Sequence, residues 1–161
     1  MKVVADSSVL VGFLALGKIE ILTEFFYQIL IPESVYEELQ SLKNYGYDLG
    51  PISHGSFIVA ECRNKTAVNE LIKVLDIGES ESIIISMERS ADLLLIDEKK
   101  GRKIAENLGI KITGILGLLI KAKIEGKIDS LKSEIEVLKE KLNFRLDDKL
   151  VNYALRQVGE L

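Results

Sequence analysis

Four acidic side chains stand where a carboxylate could do chemistry. Asp6 ends the apolar run Val3-Val4-Ala5, and Asp97 ends the run Leu93-Leu94-Leu95-Ile96. Glu79 follows Gly78 at the start of an expected helix, and Glu38 precedes Leu39 on an expected helix that begins after Pro32. In a parallel sheet, the carboxyl ends of strands and the starts of the following helices share one edge. Asp6, Asp97 and Glu79 can converge there, and Glu38 can reach in from its helix. Carboxylates gathered in one cleft repel one another unless a cation neutralises them. Mg2+ or Mn2+ suits such a site, because hard cations take oxygen ligands and Mg2+ keeps waters while sharing substrate phosphates. A metal held by Asp6, Glu79 and Asp97 can activate a water and stabilise a departing oxygen, as phosphodiester hydrolysis requires. Ser8 lies close enough to Asp6 along the chain to orient a carboxylate or a bound water.

Each acid also has a plainer reading. A carboxylate after a strand is often a helix N-cap, and Glu79 could simply complement a helix dipole. Glu81 competes with Glu79 for the same role. Surface helices are full of Glu, as Glu37 beside Glu38 shows. The ordered set of four is more specific than any member. The run Lys99, Lys100, Arg102 and Lys103 follows Asp97 directly. It either grips phosphates beside the site or forms a solvated helix face. Arg102 is the best single choice for phosphate, which a guanidinium holds in a bidentate fork. Lys121, Lys123 and Lys127 read better as a solvated face. His54 is the only histidine and lies in a glycine-rich loop, so zinc has no support. Tyr45 and Tyr47 could stack on bases but read better as loop anchors, and Cys62 reads as a small, partly buried residue.

The elements that must position these residues alternate between strand and helix. After the first strand, Ser7 to about Leu16 reads as a helix broken at Gly17, and Ile19–Phe26 as a second amphipathic helix. Gln28–Ile31 reads as a strand stopped by Pro32, which suits the first turn of the next helix. Ser34 and Glu37 have capping-box spacing there. Residues 44–56, rich in glycine, read as loop, and Phe57–Ala60 as a short strand. Val68, Leu71, Ile72 and Leu75 have helical spacing. Gly78 opens another helix, with Ile83, Ile84 and Met87 expected on its buried side. The segment from Lys99 to Leu108 reads as a helix ended by Gly109, Lys111–Thr113 as a last strand, and Gly114–Lys123 as helix. Beyond Gly126 the pattern is helical, with stripes Leu131/Ile135/Leu138/Leu142 and Val151/Ala154/Leu155/Val158. This order implies an α/β fold with a central, mostly parallel sheet covered on both faces. Residues 1–128 would form the core. Residues 129–161 would form a C-terminal helical hairpin, packed on that core or used for partner contact.

Composition bounds the function. A chain of 161 residues with 47% hydrophobic and 29% charged residues suggests one globular domain. No apolar run reaches the ~18 residues of a membrane span. The N-terminus shows no signal-peptide pattern, and a single cysteine precludes an internal disulfide. The expectation is a cytoplasmic protein without a membrane partner. A net charge of −4 gives no general attraction for nucleic acid, so any such attraction must be local or metal-mediated.

With those residues in view, the chain resembles the PIN-domain family. The likeness starts at VVADSSVL, the strand-Asp-x-Ser opening, and continues in IPESVYEEL, where Glu38 before Leu39 matches the family's second acid. GESESIIISMERSADLLLIDEKKGRKIAENLG then matches the third and fourth acids with Glu79 and Asp97. The order and spacing span roughly residues 1–113. TGILGLLIKAKIEGKI and NFRLDDKLVNYALRQVGEL resemble a prokaryotic subgroup of predicted nucleic-acid-binding PIN proteins. The third acid of the common toxin pattern is Asp, and here it is Glu79. Many members carry another Asp shortly after the fourth acid, where this chain has Glu98 and the basic run. The resemblance implies a three-layer α/β/α fold and a Mg2+/Mn2+-dependent endoribonuclease, often the toxin of a type II toxin–antitoxin pair. It implies RNA as substrate, an antitoxin whose segment occupies the cleft, and a homodimer. The alternative is a catalytically inactive PIN scaffold binding RNA or a protein. Other phosphoryl chemistry fits poorly: Ser8 stands where an Asp-based phosphatase wants a second Asp, and no glycine-rich turn follows the first strand.

Overall fold

The computed structural model describes residues 1–53 and 55–161. His54 lies outside the described residues, and with it the question of its role. Five strands form one sheet: β1 (Val3–Ala5), β2 (Ile29–Pro32), β3 (Phe57–Ala60), β4 (Leu93–Leu95) and β5 (Ile112–Thr113). Their order is β3-β2-β1-β4-β5, with every neighbouring pair parallel. The helices are α1 (Ser7–Ala15), α2 (Glu20–Phe25), α3 (Glu33–Ser41), α4 (Lys65–Ile72), α5 (Ile77–Glu88), α6 (Lys99–Asn107), α7 (Ile115–Ile124), α8 (Leu131–Leu142) and α9 (Asp148–Gln157). The chain moves outward from β1 to β2 and β3, then returns to place β4 on the other side of β1. The strand order therefore reverses between β1 and β4, where open α/β sheets place ligands outside the carboxyl ends of their strands.

Strand alternation separates two cores. Side chains of successive strand residues point to opposite faces. Val3, Ala5 and Leu95 join one core with residues of α1, α2, α3, α7, α8 and α9. Val4, Leu94 and Ile96 join the other with residues of α4, α5 and α6. The result is the expected three-layer α/β/α arrangement, and the sheet is wholly parallel. The tail extends the first core: Leu131, Ile135 and Leu138 of α8 and Val151, Ala154 and Leu155 of α9 are buried in it. Glu160, near the C-terminus, accepts hydrogen bonds from the Leu131 and Lys132 N–H groups and the Ser130 hydroxyl. It satisfies donors that the first turn of α8 cannot pair internally.

Several local expectations are corrected. The capping box at Ser34 and Glu37 does not form: α3 starts at Glu33, with Pro32 before it and no side-chain cap bond. The Ser34 N–H instead donates to Glu81 Oε1 at 3.2 Å, a tertiary partner in place of the local one. The periodicity through Leu75 overshoots α4, which ends at Ile72; Leu75 is buried from the following turn and Ile72 is exposed. Met87 is 49% exposed, not buried. Within the expected loop, short 3-10 turns occupy Leu42–Tyr45 and Gly50–Ser53. Among the described residues no helix is long and apolar enough to cross a membrane.

Candidate active site

Asp6 is fixed by two adjacent elements. Its backbone N–H donates to the Leu95 carbonyl at 2.9 Å, extending the β1–β4 ladder by one step. Its side chain then caps α1: Oδ2 accepts from the Ser8 N–H at 3.4 Å and the Ser8 hydroxyl at 3.0 Å. The plain N-cap reading is thus correct for one oxygen. The other, Oδ1, is buried without a hydrogen-bond partner. Asp6 is only 2% exposed. Burial pushes its carboxyl up to about 6, assisted by the Asp76 carboxylate and opposed by the bonds from Ser7 and Ser8.

Glu79 arrives from α5, a helix whose residues Gly78–Ser86 are all buried. Such burial is tolerable because the serine hydroxyls bond back along the helix, Ser80 to the Asp76 carbonyl, Ser82 to that of Gly78 and Ser86 to that of Ser82. Asp76 caps this helix, its Oδ1 accepting the Glu79 N–H at 2.7 Å. The Asp6 and Asp76 carboxylates both lie against Gly78, within 3.4 and 3.6 Å of where a Cβ would be. Glu79 reaches across to α6, where a Cβ on Gly101 would fall 2.8 Å from Glu79 Oε2 and 2.9 Å from Ile96 Cδ1. A side chain there would have to displace the ends of Glu79 and Ile96. Glu79 Oε2 is the second buried carboxylate oxygen with no partner. Burial pushes the Glu79 carboxyl up to about 8, reinforced by Asp76, then by Asp6 and Glu98.

Asp97 stands beside this pair but faces elsewhere. Its Oδ2 accepts the Ile115 N–H at 2.9 Å, capping the first turn of α7. Its Oδ1 lies 3.9 Å from the Arg102 guanidinium, which also donates to the Ile96 carbonyl at 3.1 Å. A side chain on Gly114 would overlap both Asp97 Oδ1 and Arg102. Burial raises the Asp97 carboxyl, while the Ile115 bond and Arg102 oppose the rise. Ser8 joins the two strand ends, since its hydroxyl accepts the Asp97 N–H at 3.2 Å while donating to Asp6.

The structure therefore brings Asp6 and Glu79 together, adds Asp76, and links Asp97 through Ser8. Among the described residues it does not gather three metal-ligating side chains around one point. The expected set of Asp6, Glu79 and Asp97 is a pair with an offset third carboxylate. Glu38 is exposed on α3, on the same helical face as Ser34 four residues earlier. Glu81 is turned to the Ser34 N–H and is distinct from the Asp6–Glu79 pair. Two contributions escaped the sequence reading: Asp76 and the close-approach glycines Gly101 and Gly114. Asp76 had a signal, because Asp76-x-x-Glu79 has the spacing of a cap with its third-position acid. The glycines had none, since close approach is a tertiary property.

The donor chemistry of these two carboxylates suits a divalent cation. Two buried carboxylate oxygens, Asp6 Oδ1 and Glu79 Oε2, lack donors. An oxygen-loving cation would supply the missing partner and favour the charged carboxylates that burial disfavours, while offsetting the smaller repulsion from Asp76. With waters and phosphate oxygens, Mg2+ needs only one or two protein carboxylates.

A PIN domain family model matches residues 2–160, essentially the whole chain. The chain belongs to the PIN domain family, whose members are generally nucleases that use divalent metal ions. Among solved structures it is similar to a PilT N-terminus domain protein from the hyperthermophilic archaeon Sulfolobus solfataricus P2. The two share 25% identity with a TM-score of 0.57, over 76% of this chain and 93% of that one. No curated protein matches the chain at a significant level.

Proposed function

We propose that this protein is a Mg2+- or Mn2+-dependent endoribonuclease acting on cytoplasmic RNA at the carboxylates of the β1–β4 switch point. The observation that carries this reading is the pair of donorless buried oxygens, Asp6 Oδ1 and Glu79 Oε2, at that edge. Asp6 and Glu79 would hold the cation, which when bound supplies charge neutralisation and an activated water for phosphodiester hydrolysis. Asp6 is oriented by the Ser8 bonds, so its free oxygen is presented in a fixed direction. Glu79 is held by the α5 cap and the close surface of α6. Asp97, anchored at the start of α7, would orient the incoming water or phosphate through groups beside the pair. Arg102 places a cation next to Asp97 where a phosphate can be gripped. Glu38 would enter only when substrate or metal draws its exposed side chain inward.

The test is cleavage of single-stranded RNA by the purified full-length chain. Activity should appear with Mn2+ or Mg2+, vanish with EDTA, and fall at least about a hundredfold in Asp6→Asn, as expected for loss of a metal ligand essential to the chemistry. Cleavage that survives both EDTA and the substitution would overturn the reading. Within this proposal, a toxin role makes RNA the target, a small antitoxin the occupant of the cleft, and a homodimer the working form. Co-purification with the product of the adjacent gene, and cell-growth arrest relieved by it, would test that role. The inactive-scaffold reading draws on one feature, the commitment of Asp97 to the Ile115 N–H and Arg102. Calorimetry showing no divalent-cation binding to the wild-type chain would favour it.

A further inference from the structure

The two edges of the sheet differ. At one, β5 is Ile112–Thr113, two residues that are both half-buried. At the other, β3 is Phe57–Ala60, in which Phe57 and Ala60 are buried while Ile58 is 37% and Val59 45% exposed. Successive strand residues face opposite sides of a sheet, so this edge exposes an apolar side chain on each face. Register fixes which backbone groups are open. Ile29 is level with Phe57 and Ile31 with Val59, and the Ile29 N–H donates to the Ser56 carbonyl. In a parallel pair at that register, β2 bonds the backbone of Ser56, Ile58 and Ala60. The N–H and C=O groups of Phe57, Val59 and Glu61 therefore point away from β2, and no loop or helix backbone among the described residues bonds them. Such an edge is a template for another strand, which proteins commonly blunt with Lys or Pro. Phe57–Ala60 contains neither.

We propose that β3 joins two copies of this chain, paired antiparallel about a two-fold axis at Val59. The occupant is a second copy because the open groups are symmetric about that residue. With Val59 opposite Val59 of the partner subunit, Phe57 lies opposite the partner's Glu61 and Ile58 opposite the partner's Ala60. The outward groups of Phe57, Val59 and Glu61 then meet one another as hydrogen-bonded pairs. An isologous contact needs this self-matching. Charge permits it as well. Glu61 falls opposite Phe57 and Arg63 opposite Gly55, so no like charges face each other along the strand. The product is one continuous sheet made of two five-stranded halves. Because the halves run antiparallel, their carboxylate edges open at opposite ends, and each site stays complete within its own chain. A strand this short buries less than the ~1,600 Å² of a standard interface, so the dimer is reversible and its population follows concentration. The inference does not depend on the nuclease reading, and it gives a surface to the homodimer that reading leaves unplaced.

Analytical ultracentrifugation of the full chain, from roughly 10 μM to 1 mM as a small interface demands, should show a reversible monomer–dimer equilibrium. Amide hydrogen exchange over the same range should protect the Phe57, Val59 and Glu61 N–H groups as concentration rises. The Ile58 N–H, already bonded to β2, should be protected throughout. Val59→Pro removes an outward donor that bonds nothing within the chain, and edge strands tolerate Pro. It should weaken dimerisation by at least about tenfold. Val59→Lys sets two like charges on the axis and should have a similar effect. Thermal melting checks folding, and Val59→Lys carries the test if Val59→Pro melts early. Val59→Thr keeps a β-branched strand residue and should keep the dimer. A chain that stays monomeric across the range overturns the inference. So does a dimer that survives both Val59→Pro and Val59→Lys, or one that leaves the three outward amides unprotected. Cleavage is not the readout, so failure here leaves the nuclease reading standing, and a chain that never cleaves RNA leaves the dimer standing.

Discussion

Asp6 and Asp97 end neighbouring strands, yet their carboxylates live in different surroundings. Asp6 faces the α5 side, among Glu79, Asp76 and apolar side chains, and Lys100 lines the same cleft as Asp76 and Glu79. Asp97 faces the α7 side, with the Ile115 N–H and Arg102 as partners. The cause is an offset of one residue. Ala5 is in register with Leu95, and both belong to the α1/α7 core. Asp6 comes one residue after this level, beside Ile96, and points to the α5 side. Asp97 comes two residues after it and points back. Alternation alone therefore sends two similar carboxylates to opposite faces of the sheet. One keeps a buried oxygen without a donor, the other caps α7 beside Arg102.

The largest effect that tests this difference is on activity. Asp6→Asn should lower metal-dependent cleavage by at least about a hundredfold while leaving the α1 cap largely intact, because Asn caps as well as Asp. If Asp6 is the unsatisfied partner, its melting temperature in EDTA at pH 8 should hold or rise. Asp97→Ala should do the opposite to stability. It strands the buried Ile115 N–H and should cost about 1–3 kcal/mol in a denaturant titration. Equal destabilisation by both substitutions would erase the contrast.

Close packing gives the next test. Gly114→Ala forces a methyl group into Asp97 and Arg102, and Gly101→Ala forces one into Glu79. Gly114→Ala should cost about 1–3 kcal/mol by overpacking, and Gly101→Ala less, because only the ends of Glu79 and Ile96 must shift. Gly101→Ala should also weaken Mn2+ binding by calorimetry, and Gly114→Ala should disturb the Asp97 side first. The reverse pattern would show the assignment of sides to be wrong.

Titration separates the two sides more gently. The folded-state values of about 6 for Asp6 and about 8 for Glu79 lie above their ordinary 3.8 and 4.5. Between these limits the folded state binds more protons than the unfolded one, so stability falls as pH rises. In EDTA the melting temperature should decrease from pH 5 to pH 8, at roughly 2–4 °C per kcal/mol for a chain of this size. Saturating Mn2+ should flatten the decrease, and Asp6→Asn should remove part of it. A metal-free profile that rises over this range would contradict the buried anionic pair. The smallest effect belongs to the exposed pair of Lys73 and Glu70, 3.0 Å apart. Breaking it with Lys73→Ala should change stability by less than about 1 kcal/mol and leave cleavage unaltered.

Much of the framework was legible in the linear chain. The runs at Val3–Ala5 and Leu93–Ile96 are short and apolar enough to read as buried strands, and both lie near their expected bounds. The stripes of α8 and α9 have helical spacing and pack as such. Errors fell where tertiary partners outcompete local ones. Ser34 meets Glu81 in place of Glu37, and Leu75 is buried beyond the end of its helix. Glu38 lies on α3 as its spacing implied, and its exposure there is a tertiary property.

The sequence by itself determined which residues could matter. Strand-ending carboxylates, a Gly-Glu helix start and a basic run after Asp97 are local features, carried by residue type and order. The tertiary structure decided which of them meet. Sheet register set Asp6 toward Glu79 and Asp97 toward Ile115, and α5 brought Asp76 into a pair that spacing had not assigned it to. It also set the ends of Glu79, Asp97 and Arg102 close against Gly101 and Gly114, a crowding that exists only once another element has closed on them. Contact across the sheet depends on register and packing, which short-range sequence patterns do not encode.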